Sequence, residues 1–144
     1  MVQVVTAARY LLGVLLLVLG LNGFLNVIPQ PPPPDDGGAF LGALLSGGVL
    51  PVVKAFEVVV GVLLLAGRFV PLALVVLVPI TVGIVLYHLR FDPAGGVAAY
   101  LVAVLHGVLL WGYRAHLMPL LVPRAEPLPD RPRPAPPAER PVTV

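Results

Sequence analysis

Four long apolar stretches, at roughly 5–28, 49–67, 69–89 and 97–117, constrain this chain more than any other feature. Each is near the ~20 residues a helix needs to cross about 30 Å of hydrocarbon. A strand crossing needs only about 9–11 residues and alternates in polarity, so runs this long and uniform predict helices. Composition points the same way: 58% of the residues are hydrophobic and 11% charged, against roughly 45–50% and about 25% in a soluble domain. The expected fold is all-α, an integral membrane four-helix transmembrane bundle.

Proline marks the boundaries. Pro29 and the run Pro31–Pro34 end the first stretch, because proline lacks the amide donor a helix needs. Pro51 and Pro71 fit the first turns of the second and third helices, while Pro79 lies inside the third and should kink it by freeing the Val75 carbonyl. Arg9 ahead of LLGVLLLVLGL has the look of a signal peptide, but no small-x-small cleavage site follows, so an uncleaved first helix is expected. The linker between the first two helices contains AFLGALL, expected to lie on the membrane surface or to cap the bundle. GRF, the link between the second and third, forces antiparallel neighbours. Residues 1–118 thus form one transmembrane domain, and 119–144, dense in proline and arginine, read as a disordered cytoplasmic tail.

Four crossings bring both termini and the Arg68 link to one side. That side carries Arg9, Arg68, Arg114, Arg124 and the tail arginines; the other carries Asp35, Asp36, Asp92 and Arg90. Basic residues near helix ends stay in the cytoplasm, so both termini are expected there. The basic balance, a net charge of +2, therefore reads as a membrane-flanking bias, and no nucleic-acid module or Gly-rich phosphate loop accompanies it. The absence of cysteine excludes disulfides, thiolate metal sites and thiol nucleophiles.

Six polar residues interrupt the apolar stretches: Asn22, Asn26, Lys54, Glu57, His88 and His106. At about 1.5 Å of rise per residue, Lys54 and Glu57 lie roughly 8 and 12 Å inside the outer end of their helix, and His106 about 14 Å into its own. All six then fall in the outer half of the bilayer or near its midplane. A single charge at the helix centre costs about 2.5–3.5 kcal/mol, so such groups face the bundle interior and pair. Lys54 and Glu57, at i, i+3, can pair with each other; Asn22 and Asn26, at i, i+4, share a face. His106 follows Ala99 and Ala103 and precedes Gly107, a small-residue strip that permits close helix approach. Each has a bland reading beside the functional one: Lys54 snorkelling to headgroups, the asparagines as interhelical glue, His88 as an interfacial residue, His106 as a buried structural one. The two histidines and Glu57 lack the HxxxH or ExxH spacing of a metal site, and Ser46, the sole serine, has no base beside it.

The ordered set GLNxF, LPxVKxxE, GRFVPLAL and HLxxDP, within roughly 5–118, resembles the DoxX family of small four-helix membrane proteins. The resemblance implies a bacterial cytoplasmic (inner) membrane protein. The family takes its name from a subunit linked to quinone-dependent sulfur oxidation. Many members carry a lysine after the asparagine of GLN; here Gly23 stands there, so that cation's role is absent or falls to Lys54.

Three functions are consistent with these residues. The first is a membrane subunit of a redox-linked, quinone-associated assembly, with Glu57, His106 and Asn22 lining an outer-leaflet site; it has no intrinsic cofactor, takes a quinone as its ligand and needs other membrane or redox subunits. The second is a small-solute or proton transporter, which with four helices would act as a homo-oligomer. The third is a membrane scaffold whose polar cluster only locks the bundle.

Overall fold

The computed structural model describes residues 1–124. They are all-helical, with no strand among the described residues: α1 (Val2–Leu25), α2 (Asp35–Ser46), α3 (Val49–Ala66), α4 (Val70–Phe91), α5 (Val97–Gly112) and α6 (Arg114–Leu117), followed by a 3-10 turn over Met118–Leu121. Helices α1, α3 and α4 are each long and apolar enough to cross a membrane. The pair formed by α5 and Arg114–Leu121 makes a fourth if its 75° bend is counted within one span. The expected single helix over 97–117 is therefore broken at Tyr113. The tail expected to be disordered over 119–144 instead begins within the 3-10 turn that runs through Leu121, and from 125 on the expectation falls outside the described residues.

Helix α1 stops three residues short of the expected 28. Asn26 adopts a left-handed conformation at φ 49°, its N–H bonding Asn22 O; asparagine tolerates that region because its short polar side chain bonds locally. The Asn22 amide then holds Ile28 on both sides, accepting from its N–H at 2.7 Å and donating to its carbonyl at 3.1 Å. The prolines that follow cannot rejoin a helix. Helix α2 begins at Asp35, and Asp35 and Asp36 put negative charge at its positive end. Gly67, at φ 67°, ends α3 and lets the Arg68 N–H reach Leu63 O, a Schellman-type stop. Phe69, also left-handed, starts α4 at once, so α3 and α4 return antiparallel. Helix α4 runs unbroken through Pro79.

Around the bundle each of α1, α3, α4 and α5 packs on two neighbours, in the order α1–α3–α4–α5 and back to α1, while α2 lies across one end of α3 and α4. The closest crossing is α1 on α3: a Cβ built on Gly61 would stand 2.9 Å from Gly13 O and 3.0 Å from Leu17 N. Only glycine allows backbones to meet so closely. The expected small-residue strip on α5 behaves differently, since Ala99 is buried but Gly107 faces open space. At the end of the bundle where α3 turns into α4, Arg9 Nη1 donates to Leu64 O at 2.6 Å, placing a cation on the negative end of α3.

The core between the helices is aliphatic: Leu12, Leu16, Leu64, Leu74, Leu77 and Leu109 are each under 2% exposed. The outside is equally apolar. Val14, Val18, Val59, Val62, Val78, Val82, Leu101 and Val104 are all at least 40% exposed. A helical bundle in water presents charged and polar residues there instead.

Candidate functional site

At the end of the bundle that carries α2 and the proline linker, the four long helices spread around a cavity of about 640 Å³, within the 300–1,000 Å³ range typical of small-molecule sites. Leu16 and Leu19 of α1, Leu50, Val53, Lys54 and Glu57 of α3, Ile80, Gly83, Ile84, Tyr87 and His88 of α4, and Ala98, Ala99 and Val102 of α5 line it; Gln30, Pro31, Pro33, Phe40, Leu41 and Leu44 close over it. The walls are predominantly apolar, with a few polar groups converging on them.

Helix α2 is seated by an aromatic stack. Phe40 lies 6.2 Å from Tyr87 and 5.6 Å from Phe91, centroid to centroid. Gly37 makes the approach possible, because a Cβ there would stand 2.9 Å from the Tyr87 hydroxyl and 3.0 Å from Phe91 Cβ. Each stacked pair contributes about 0.5–1.5 kcal/mol beyond area burial. AFLGALL is thus the cap of the bundle rather than a free surface piece.

The charged centre is the expected pair. Lys54 Nζ donates to Glu57 Oε2 at 2.8 Å and to Oε1 at 3.1 Å, so one ammonium satisfies both carboxylate oxygens. Glu57's side chain is 2% exposed and that of Lys54 24%: the carboxylate is sealed, and the ammonium sits at the cavity wall. An ammonium has three protons, and two serve Glu57. Gly23 explains how the lysine is held. A Cβ at Gly23 would lie 2.6 Å from Lys54 Cγ and 2.7 Å from Cδ, so the lysine stem fills the groove that a side chain on α1 would occupy. At Gly20, a Cβ would press on Glu57 Cβ at 3.1 Å.

His88 is the second polar group of the wall. Its Nδ1 lies 3.3 Å from Asp92 O and 3.9 Å from Asp92 Oδ2, and Tyr87 packs edge-on against its ring at 5.1 Å. Asp92 is itself oriented by the turn, accepting from Gly95 N–H at 3.0 Å.

The other three residues singled out in the sequence do not line the cavity. Asn22 and Asn26 do not form a shared face: one clamps the linker at Ile28, and the other is the helix cap itself. His106 lies one helical turn beyond Val102, 3% exposed, with Nε2 3.0 Å from Leu74 O and Nδ1 2.9 Å from Thr81 Oγ1. A carbonyl oxygen only accepts, so Nε2 carries a proton and donates it. Both partners belong to α4, so His106 ties α5 to α4 outside the cavity lining. Tyr87, Gln30 and the α2 residues that line the cavity were not legible as site residues, because their place depends on how α2 and the linker fold back over the bundle. No group of three or more potential His, Asp or Glu metal ligands occurs among the described residues. No family model, curated protein or solved structure matches the chain, and what the cavity does rests on its own residues.

Proposed function

We propose that this chain is a multi-pass protein of a bacterial inner membrane that binds a quinone-class molecule in the cavity beside Lys54 and Glu57, as a subunit of a redox-linked assembly. The kinship to the DoxX family suggested by residue order is part of the same reading. In it, α1, α3 and α4 cross the bilayer, α5 with the bent segment Arg114–Leu121 makes the fourth crossing, and both termini are cytoplasmic, because Arg9, Arg68, Arg114 and Arg124 share one end. Cysteines at Asp36 and Arg68 should then label from opposite faces of the membrane.

One observation carries the reading: a mostly apolar cavity has at its wall an ammonium with one proton to spare. A quinone is a flat apolar ring with two carbonyl oxygens on an isoprenoid tail. Leu41, Leu44, Leu50, Ile80 and Ile84 suit the ring and tail, and Lys54 can donate to one oxygen. His88 Nε2, which has no hydrogen-bond partner among the described residues, can serve the other. Bound, a quinone supplies reversible two-electron, two-proton chemistry. The protein orients the ring through Lys54, keeps water from its buried edge through α2 and the linker, and offers Glu57 and His88 as groups that hold or pass a proton. His88 takes the place expected for His106. Electrons must come from partner subunits.

Leu12, Leu16, Leu64, Leu74, Leu77 and Leu109 close the bundle beneath the cavity, which supports a binding site over a permeation path.

The test uses full-length protein in nanodiscs with a short-chain quinone. Binding should raise the melting temperature, and lipophilic molecules co-purifying with the protein should include quinones by mass spectrometry. Gly83→Leu is the discriminating variant: a Cβ at Gly83 meets nothing within 4 Å, so the residue fits while its side chain occupies cavity space. It should keep the fold and lose the shift. No shift with any quinone, and none co-purified, overturns the proposal.

A further inference from the structure

At the end of the bundle that carries Arg68, α5 is too short to cross a bilayer unaided, and the chain turns aside where it stops. Its 16 residues span about 24 Å, against about 36 Å for the 24 residues of α1 and about 33 Å for the 22 of α4. After a 75° bend, Arg114–Leu121 runs almost across the bundle axis and adds only about 3–4 Å of depth. This foot buries no side chain in α6 or in its 3-10 turn. It packs mainly against itself and the end of α5, and Met118, Leu120 and Leu121 are 61%, 66% and 73% exposed.

Charge at this end is one-sided. Every carboxylate among the described residues, Asp35, Asp36, Glu57 and Asp92, lies toward the opposite end. Arg68, Arg114 and Arg124 are exposed and have no carboxylate partner among the described residues. Arg114 stands over the Trp111 ring at 4.6 Å and donates to Trp111 O at 2.8 Å, which fixes its guanidinium at the bend. An aromatic ring capped by a cation is the pairing found at the headgroup level of a bilayer. An apolar foot lying flat, flanked by arginines, is the pattern of an interfacial segment that meets anionic lipid.

We infer that the bend and foot, with Arg68, Arg114 and Arg124, form a binding surface for anionic phospholipid headgroups, the foot's leucines seated in the acyl boundary below. This rests on the chain spanning a bilayer and is independent of what fills the cavity. A basic residue at the surface enriches an anionic lipid beside it about fivefold.

Trp111 is the sole tryptophan in the sequence and 65% exposed, so its fluorescence reads the bend directly. Full-length protein is reconstituted in mixed phosphatidylcholine and phosphatidylglycerol bilayers, with bromine on the acyl chains of one lipid or the other. Brominated phosphatidylglycerol should quench Trp111 about fivefold more per mole than brominated phosphatidylcholine. The preference should vanish in Arg68→Gln/Arg114→Gln/Arg124→Gln and in wild-type protein at high salt, and survive Arg90→Gln at the other end. Equal quenching by the two lipids overturns the inference while leaving the spanning topology intact; quenching by neither overturns both. A preference seen only after Glu126→Gln/Asp130→Asn/Glu139→Gln would make the tail's own carboxylates the occupant and also overturn it.

Discussion

Removing Lys54 should harm this protein more than removing its partner. In Lys54→Met, the Glu57 carboxylate keeps its place, 2% exposed, and loses the single donor that serves both oxygens. Leaving a buried charge unpaired costs about 3–5 kcal/mol. Part of the lysine side chain, 24%, is exposed, which discounts the loss to about 2–4 kcal/mol. In Glu57→Gln, the ammonium already sits at the cavity wall and can swing along its flexible stem toward headgroups, so the loss should be about 1 kcal/mol. Lys54→Met with Glu57→Leu removes both charges and should return to within about 1 kcal/mol of wild type. The assay is equilibrium unfolding in a fixed detergent or bilayer, reading all three variants against wild type. Equal losses in the two single variants, or a double variant as unstable as Lys54→Met, would refute the account of a sealed carboxylate held by a partly exposed lysine.

Gly23→Ala should cost about 1 kcal/mol by pushing the Lys54 stem off α1, and that cost should disappear in a Lys54→Ala background, which a double-mutant cycle measures. Gly61→Ala meets backbone, Gly13 O and Leu17 N, rather than a movable side chain. It should destabilise by about 1–3 kcal/mol in any background, read by the same unfolding assay. His106→Leu leaves Thr81 without its buried partner and should cost about 1–3 kcal/mol. Since His106 does not line the cavity, ligand affinity per folded molecule should remain near wild type; a selective loss of binding would put the imidazole in the site after all.

Read alone, the sequence determined the helical class, the existence and approximate bounds of the long apolar helices, and the pairing of Lys54 with Glu57. Each of these is a local matter: run length, proline position, and the i, i+3 geometry that puts two residues on one face. The burial of His106 and the capping role of AFLGALL were foreshadowed. What failed did so where a residue's partner lies far along the chain or where a single dihedral decides. Asn26 turned left-handed and ended α1, which removed the face it was expected to share with Asn22. The last helix broke at Tyr113, inside the stretch expected to be one helix.

Only the tertiary structure decided which polar groups meet. His106 and Glu57 have similar depths, yet the ring bonds to α4 and the carboxylate to its own helix. His88, equally plausible as a bystander, lines the cavity instead. Depth along a helix follows from counting residues, but azimuth follows from packing. Here the packing was set by Gly13, Gly20, Gly23 and Gly61, whose missing side chains let α1 and α3 approach until Lys54 had one groove to lie in.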